Sequence, residues 1–186
     1  GFIFTPWLLR VLGESNYAIY SLATSLISMF AIDFGLGAAV SRFISKYRAE
    51  KNIESSNRII GLIFKAFLIL DVLIFVVLFV LFFFINNIYH ALSNDEINAF
   101  KIVYIIAGLY SLISFEFTPL NGILMGNSKF PQYKLIALIS KIFYFILSLI
   151  VLRINGNLFL YVLVVAFSGI VEMTIKIAYI KTRCEY

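Results

Sequence analysis

The sequence predicts an all-α fold, a polytopic bundle of transmembrane helices, on two observations. The first is composition. Of the 186 residues, 62% are hydrophobic and 13% are charged, whereas soluble domains carry roughly 45–50% apolar and about 25% charged residues. The second is that the apolar residues form long runs without the strand alternation of a transmembrane barrel. Because backbone groups in lipid need partners within their own segment, each run is predicted to be a helix.

The apolar runs define the predicted helices in order. A spanning helix needs roughly 20 apolar residues, and five runs reach that length, while a shorter run at the start supplies the end of one more helix. The predicted helices are 1–12, 18–44, 59–85, 102–125, 134–152 and 158–180. Gly1 begins inside an apolar run that lacks the basic flank and cleavage site of a signal peptide. We therefore interpret the chain as a fragment whose first helix is incomplete.

The basic residues between the runs predict the orientation. Nine lie in alternate gaps and three in the others, and the positive-inside rule assigns the richer gaps to the cytoplasm. The nine are Arg42, Lys46, Arg48, Lys51, Arg58, Lys129, Lys134, Lys181 and Arg183, and the three are Arg10, Lys101 and Arg153. The net charge of +5 is thereby explained by topology.

Several classes of function are disfavoured. The basic residues are not clustered with aromatic residues in a polar domain, so no nucleic-acid partner is expected. One cysteine, Cys184, and one histidine, His90, provide neither a disulfide framework nor a cysteine or histidine metal cluster. The short gaps carry no phosphate-binding loop, nucleophile elbow or paired carboxylates. We expect no enzyme activity, no metal and no cofactor.

Eight charged residues lie within the apolar runs or at their edges, where a central charge costs roughly 2.5–3.5 kcal/mol. They are Asp33, Arg42, Lys65, Asp71, Glu116, Lys141, Glu172 and Lys176. Lys65 and Lys176 are expected to extend to the cytoplasmic interface, and Glu172, four residues before Lys176, is a candidate partner for it. The equal number of acids and bases leaves two interpretations: a hydrated vestibule open to the cytoplasm, or buried structural pairs with protonated acids.

Two stretches interrupt the apolar pattern. In "AIDFGLGAAVSRF", residues 31–43, Asp33 and Arg42 lie nine positions apart and therefore on different faces of an ideal helix. The small residues beside Arg42 suit close helix packing and leave room for a ligand, although lipid phosphates are an alternative partner. In "FEFTPLNG", residues 115–122, Pro119 is predicted to kink the helix one turn after Glu116. Such breaks mark transport sites or are purely architectural.

The stretch "PWLLRVLGESNYAIYSLATSLISMFAIDFGLGAAVSRFISKY", residues 6–47, resembles a known family signature. It is similar to the N-terminal signature of Wzx-type O-antigen and capsule flippases, which are polysaccharide biosynthesis proteins of the multidrug/oligosaccharidyl-lipid/polysaccharide exporter superfamily. The matching residues are Arg10, Leu12, Gly13, Tyr17, Tyr20, Leu22, Ala23, Asp33, Gly35, Leu36, Gly37 and Arg42, and Ala18 replaces the usual glycine. The basic loop "LMGNSKFPQY" also fits. The signature marks the family but not the substrate.

The resemblance implies a transporter of twelve to fourteen helices in two bundles around a central cavity. Residues 1–186 would form the N-terminal transmembrane bundle. The implied function is translocation of undecaprenyl-pyrophosphate-linked oligosaccharide across the bacterial inner membrane, with membrane lipids and other polysaccharide-assembly proteins as further partners. Since alternating access needs both bundles, the fragment alone is not expected to transport.

The resemblance also implies roles for the intramembrane charges. Arg42 and Lys141 are the predicted cations for the pyrophosphate, with Arg10 as a weaker candidate at the outer exit. Asp33 and Glu116 would orient these cations, contact sugar hydroxyls or take the coupling protons or sodium ions.

Three other functions stay open. A cation-coupled multidrug exporter of the same superfamily would need an acidic cavity. A membrane-embedded polymerase or ligase of the same pathway would need long outer loops. A non-transporting scaffold would tolerate neutral substitutions at Asp33, Glu116 and Lys141.

Overall fold

The computed structural model describes residues 4–29 and 35–184, which form helices joined by short turns, without a strand in those two ranges. The helices are α1 (Phe4–Leu12), α2 (Glu14–Ser28), α3 (Leu36–Ala49), α4 (Ile53–Ile88), α5 (Asn94–Glu116), α6 (Pro119–Gly126), α7 (Phe130–Asn155) and α8 (Leu158–Arg183). The prediction of an all-α fold is confirmed. Within the same ranges, four segments are long and apolar enough to cross a membrane: α4, α5 together with α6, α7 and α8. The chain is a multi-pass membrane protein.

The segment 18–44 is not one continuous helix, so this part of the prediction is wrong. Helix α2 ends at Ser28, and α3 starts after Gly35, whose φ of 77° lies in the left-handed region. Glycine reaches this conformation without the steric penalty of a Cβ atom. Asp33, one of the predicted site residues, lies outside the described residues.

The second break lies where Pro119 predicts it. Helix α5 ends at Glu116, and Pro119 occupies the first turn of α6, where its missing N–H group removes no helix hydrogen bond. Two backbone hydrogen bonds stabilise the intervening turn. The Thr118 N–H donates to the Phe115 carbonyl at 3.0 Å, and the Leu120 N–H donates to the Phe117 carbonyl at 3.1 Å.

Helices α5 and α8 occupy the middle of the bundle. Helix α5 contacts α2, α4 and α8, whereas α8 contacts α2, α5, α6 and α7. One buried cluster includes Ile19, Phe100 and Tyr161 and joins α2, α5 and the start of α8 to α1 and to the C-terminal parts of α4 and α7. A smaller cluster includes Val40, Leu124 and Ile180 and joins α3, α6 and α8. The two clusters divide the bundle along its length.

Close packing of α3 on α6 depends on two glycines of α6. A Cβ atom at Gly122 would lie 2.5 Å from the Gly37 carbonyl oxygen and 2.7 Å from the Val40 Cβ atom, and one at Gly126 would lie 2.8 Å from the Ile44 Cβ atom. Small residues four positions apart let membrane helices approach closely. The short helix created by the Pro119 break therefore provides the contact surface for α3.

Large apolar side chains cover the outside of the bundle. On α4, Ile69 and Phe83 are 64% and 65% exposed. The accessible surface is 11233 Å², which exceeds the roughly 9,100 Å² expected for a soluble monomer of this mass. An outward-facing apolar surface of this kind is stable when lipid covers it.

The helix ends fall into two groups. The α3–α4 turn, the α6–α7 turn and the end of α8 meet around one cavity, and these segments carry most of the basic residues that predict the cytoplasmic side. We call this side the basic end. At the opposite side, the Ser15 hydroxyl of α2 donates to the Glu96 carboxylate of α5 at 2.7 Å.

Candidate functional site

Hydroxyl groups line a cavity of about 290 Å³ between α2, α5 and α8. We call it the hydroxyl cavity. Its hydroxyl-bearing residues are Tyr20, Thr24, Ser28, Tyr110, Ser111, Ser114 and Thr118. No carboxylate or cation is among the described residues that line it, and apolar side chains such as Ile27, Phe115 and Val162 form the rest of the wall. The described wall is therefore uncharged and combines hydroxyl groups with apolar surface, which suits a neutral ligand that forms hydrogen bonds.

Helix geometry places these hydroxyls on one face of each helix. On α2 they occur at residues 20, 24 and 28, and on α5 at residues 110, 111 and 114, while Thr118 lies in the turn between α5 and α6. Positions three or four residues apart share a helix face. The spacing is present in the sequence, where hydroxyl groups scattered among apolar residues are a weaker signal than charged residues.

A second cavity, of about 350 Å³, lies between α5, α7 and α8. We call it the lysine cavity, because Lys141 lines it. Glu172, Ser140 and Ser168 also contribute to its walls. Tyr110 lines both cavities, so the two are adjacent.

Buried serine hydroxyls lie in the lysine cavity. The Oγ atoms of Ser140 and Ser168 are buried and form no hydrogen bond within the described part of the protein. A buried hydroxyl without a partner is energetically costly. These two hydroxyls are therefore unsatisfied polar groups on residues that line the cavity.

The close approach of α5 and α8 positions Tyr110. A Cβ atom at Gly169 would overlap the Tyr110 hydroxyl and ring, so only glycine at this position lets the phenol lie against α8. Nearer the start of α8, the Tyr161 hydroxyl lies 2.7 Å from the Tyr144 hydroxyl. The Tyr161 ring packs edge-on against the Tyr20 ring, with 5.1 Å between the ring centres. Tyrosines from four helices thus surround the polar region.

Lys176 does not extend to the interface, so that prediction is wrong. The residue is only 7% exposed. Its Nζ atom lies 2.5 Å from the Glu172 carboxylate and donates to the Asn121 side-chain oxygen at 2.8 Å. It also lies 5.4 Å from the centre of the Tyr133 ring. The predicted pairing with Glu172 is confirmed, and it places a compensated charge at one wall of the lysine cavity.

The described site residues predicted from the sequence lie at separate places. Arg42 is exposed on α3 and borders an open cavity of about 820 Å³ with Ala38 and Lys46. Lys141 is exposed at the lysine cavity, whereas Arg10 is exposed in the last turn of α1.

Glu116 is half-buried at the end of α5. It lies close enough to Asp71 of α4 for the two carboxyl groups to interact electrostatically. The Oδ1 atom of Asp71 is buried and has no hydrogen-bond partner among the residues that the structure describes. Two neighbouring carboxylates repel each other when both are charged.

The sequence profile of a family described as polysaccharide biosynthesis protein matches residues 1–184. The chain belongs to this family. The resemblance seen in residues 6–47 is thereby confirmed, and the match extends over nearly the whole chain.

A protein of Salmonella typhi, provisionally named an O-antigen transporter, is 39% identical to this chain over 46 residues. The matched segment makes up 24% of this chain and 11% of the relative. No solved structure is significantly similar to the chain.

Proposed function

We propose that this chain forms part of a flippase that moves undecaprenyl-pyrophosphate-linked oligosaccharide from the cytoplasmic to the periplasmic leaflet of the bacterial inner membrane. The observation that carries the proposal is the hydroxyl cavity next to the lysine cavity, both within the membrane-spanning helices of a polysaccharide biosynthesis protein. The protein acts as a transporter and catalyses no covalent reaction. Membrane lipids and other proteins of polysaccharide assembly are its further partners.

The chemistry of the cavities suits a glycan. Sugars are neutral and present many hydroxyls, which exchange hydrogen bonds with serine, threonine and tyrosine side chains. Several of the hydroxyls in the cavity donate to their own helix, as Thr24 does to the Tyr20 carbonyl at 2.8 Å. Their oxygen lone pairs remain available as acceptors. Ser140 and Ser168 add groups with no protein partner.

The pyrophosphate of the substrate requires cations. Arg42 and Lys141 are exposed, border cavities and form no ion pair among the described residues, so both can form charge-assisted hydrogen bonds with it. Arg10 is the candidate at the outer exit. Glu116 and Asp33 would orient these cations, bind sugar hydroxyls or carry the coupling ion.

The test is translocation of a fluorescent lipid-linked oligosaccharide in proteoliposomes that contain the full-length protein. Wild type is compared with Arg42→Ala, Glu116→Gln and Ser140→Ala. We expect slower translocation in all three, with Ser140→Ala reduced about fivefold, as loss of one hydrogen bond predicts.

Ser148→Ala is the matched control. Ser148 lies on the same helix as Ser140, and its Oγ atom is also buried without a partner, but it lines neither cavity. Equal loss in both serine variants would indicate a packing defect. Wild-type rates in all variants would contradict these site assignments, and absence of translocation by wild type would contradict the flippase.

The Asp71–Glu116 pair favours a second candidate, a cation-coupled multidrug exporter. An intramembrane acidic pair would bind protons or cationic substrates. Efflux of a cationic dye driven by a proton or sodium gradient, without oligosaccharide translocation, would support this candidate.

A further inference from the structure

A pocket of about 530 Å³ opens at the basic end of the bundle, separate from the hydroxyl and lysine cavities. The C-terminal ends of α3, α6 and α8 and the N-terminal ends of α4 and α7 enclose it. Four of its lining side chains are cations: Arg48, Lys51, Lys129 and Arg183. We call it the basic pocket.

The described walls of the basic pocket carry positive charge without an acidic residue. Among the described residues, no aspartate or glutamate lines the pocket, and Glu50 and Glu54 are exposed outside it. Glu185, which follows the lining residue Cys184, lies outside the described residues. In the described part of the chain, the four cations take part in no salt bridge. Four like charges around one space repel each other, and a bound anion relieves that repulsion.

Two residues in the turns beside the basic pocket have a backbone conformation that is usual for glycine. Lys51 and Ser128 have φ angles of 54° and 60°, in the left-handed region that residues with a Cβ atom rarely adopt. Each closes a helix, because the Asn52 N–H donates to the Tyr47 carbonyl and the Lys129 N–H to the Leu124 carbonyl, both at 2.9 Å. Such strain is found at functional sites.

A side-chain hydrogen bond links the two turns. The Arg48 guanidinium donates to the Ser128 hydroxyl at 3.1 Å, which holds the end of α3 against the α6–α7 turn. Arg48 keeps further N–H groups for a ligand, since a guanidinium has five.

The same pocket has an apolar side. Ile44, Tyr47 and Ile53 line it together with the cations. A ligand with a phosphate group and an attached apolar chain matches both parts. We propose that the basic pocket binds the phosphate group of an anionic phospholipid of the cytoplasmic leaflet. The site is distinct from the cavities assigned to oligosaccharide, and its test does not depend on transport.

The test uses full-length protein purified in detergent, with binding of phosphatidylglycerol followed by native mass spectrometry and phosphatidylcholine as the neutral comparison. A parallel arm measures the thermal midpoint with inorganic phosphate against chloride at equal ionic strength. The pocket variant is Arg48→Gln with Lys129→Gln. The control is Arg58→Gln with Lys181→Gln, which removes the same charge from the same end of the bundle outside the pocket.

We expect the pocket variant to bind phosphatidylglycerol about tenfold more weakly and the control less than about twofold more weakly. Equal losses would overturn the proposal, because they would indicate diffuse attraction by the basic surface. Equal binding of the two lipids by wild type would also overturn it. A response to inorganic phosphate without lipid preference would reject the lipid and identify a soluble phosphate ligand.

Circular dichroism and size-exclusion chromatography check that the variants fold. If the double variant does not fold, Lys51→Gln serves instead, since Lys51 is exposed. Its expected loss is about threefold, and unchanged binding would contradict the proposal.

Discussion

The buried ammonium group of Lys176 has partners from three other positions in the fold. Glu172 supplies the opposite charge from the same helix, Asn121 of α6 accepts a hydrogen bond and Tyr133 of α7 presents its ring. A buried cation is tolerated when its charge and its donors are both satisfied. The pair therefore joins α6, α7 and α8 at one wall of the lysine cavity.

The ion pair predicts unequal effects of single and double substitutions. Glu172→Gln leaves the Lys176 charge without its counterion and should lower the free energy of unfolding by about 3 kcal/mol, at the low end for buried pairs because the Glu172 side chain is 31% exposed. Combining it with Lys176→Met should recover part of this loss. Denaturant titration in detergent micelles measures both values, and a double variant less stable than Glu172→Gln would contradict the interpretation.

Among the elements, α3 and α6 depend most directly on single glycines. A Cβ atom at Gly122 meets the backbone of α3, which cannot move aside as a flexible side chain could. Gly122→Ala should therefore separate the two helices and lower the free energy of unfolding by about 1–3 kcal/mol.

Gly108→Ala is the matched control for Gly122→Ala. Gly108 is also buried within a helix, but a Cβ atom there would meet no other atom within 4 Å. Because alanine has the higher helix propensity, we expect no loss and a gain of up to about 1 kcal/mol. Equal destabilisation by both substitutions, measured by thermal or denaturant unfolding, would contradict close packing of α3 on α6.

The start of α5 is stabilised by a capping box. The Ser93 hydroxyl accepts from the Glu96 N–H at 3.3 Å, and the Glu96 carboxylate accepts from the Ser93 N–H at 3.0 Å. Ser93→Ala should lower stability by about 1 kcal/mol, whereas Ser93→Gly should cost only a few tenths. Hydrogen exchange of the first α5 turn measures the effect, and unchanged exchange in Ser93→Ala would show that the cap contributes little.

For the whole molecule, the distribution of basic residues predicts the orientation in the membrane. In a cysteine-free background, His90→Cys should react with a membrane-impermeant maleimide added to spheroplasts. Glu50→Cys, in the turn between α3 and α4, should react only after permeabilisation, because that turn belongs to the basic end. Both positions are exposed, so the reverse pattern would show that the orientation is inverted.

The all-α membrane fold could be predicted from the sequence because the length and apolarity of a run are local properties. The same holds for the break at Pro119, which follows from a missing N–H group. The left-handed Gly35 could not be predicted, because glycine is also tolerated inside helices. The contacts made in the folded bundle select one of these conformations.

The site was less predictable, because the sequence shows which groups are polar but not which helices face each other. The hydroxyls of α2 and α5 have helical spacing, yet only the packing of α2, α5 and α8 brings them around one cavity. The position of Lys176 in the sequence predicts that its side chain reaches the cytoplasmic interface. In the folded bundle the side chain instead donates a hydrogen bond to Asn121 of α6. Composition and run length thus determined the membrane environment and the helical fold, and the motif in residues 6–47 determined the family resemblance. Long-range packing determined which polar groups meet, because those contacts join residues far apart in the chain.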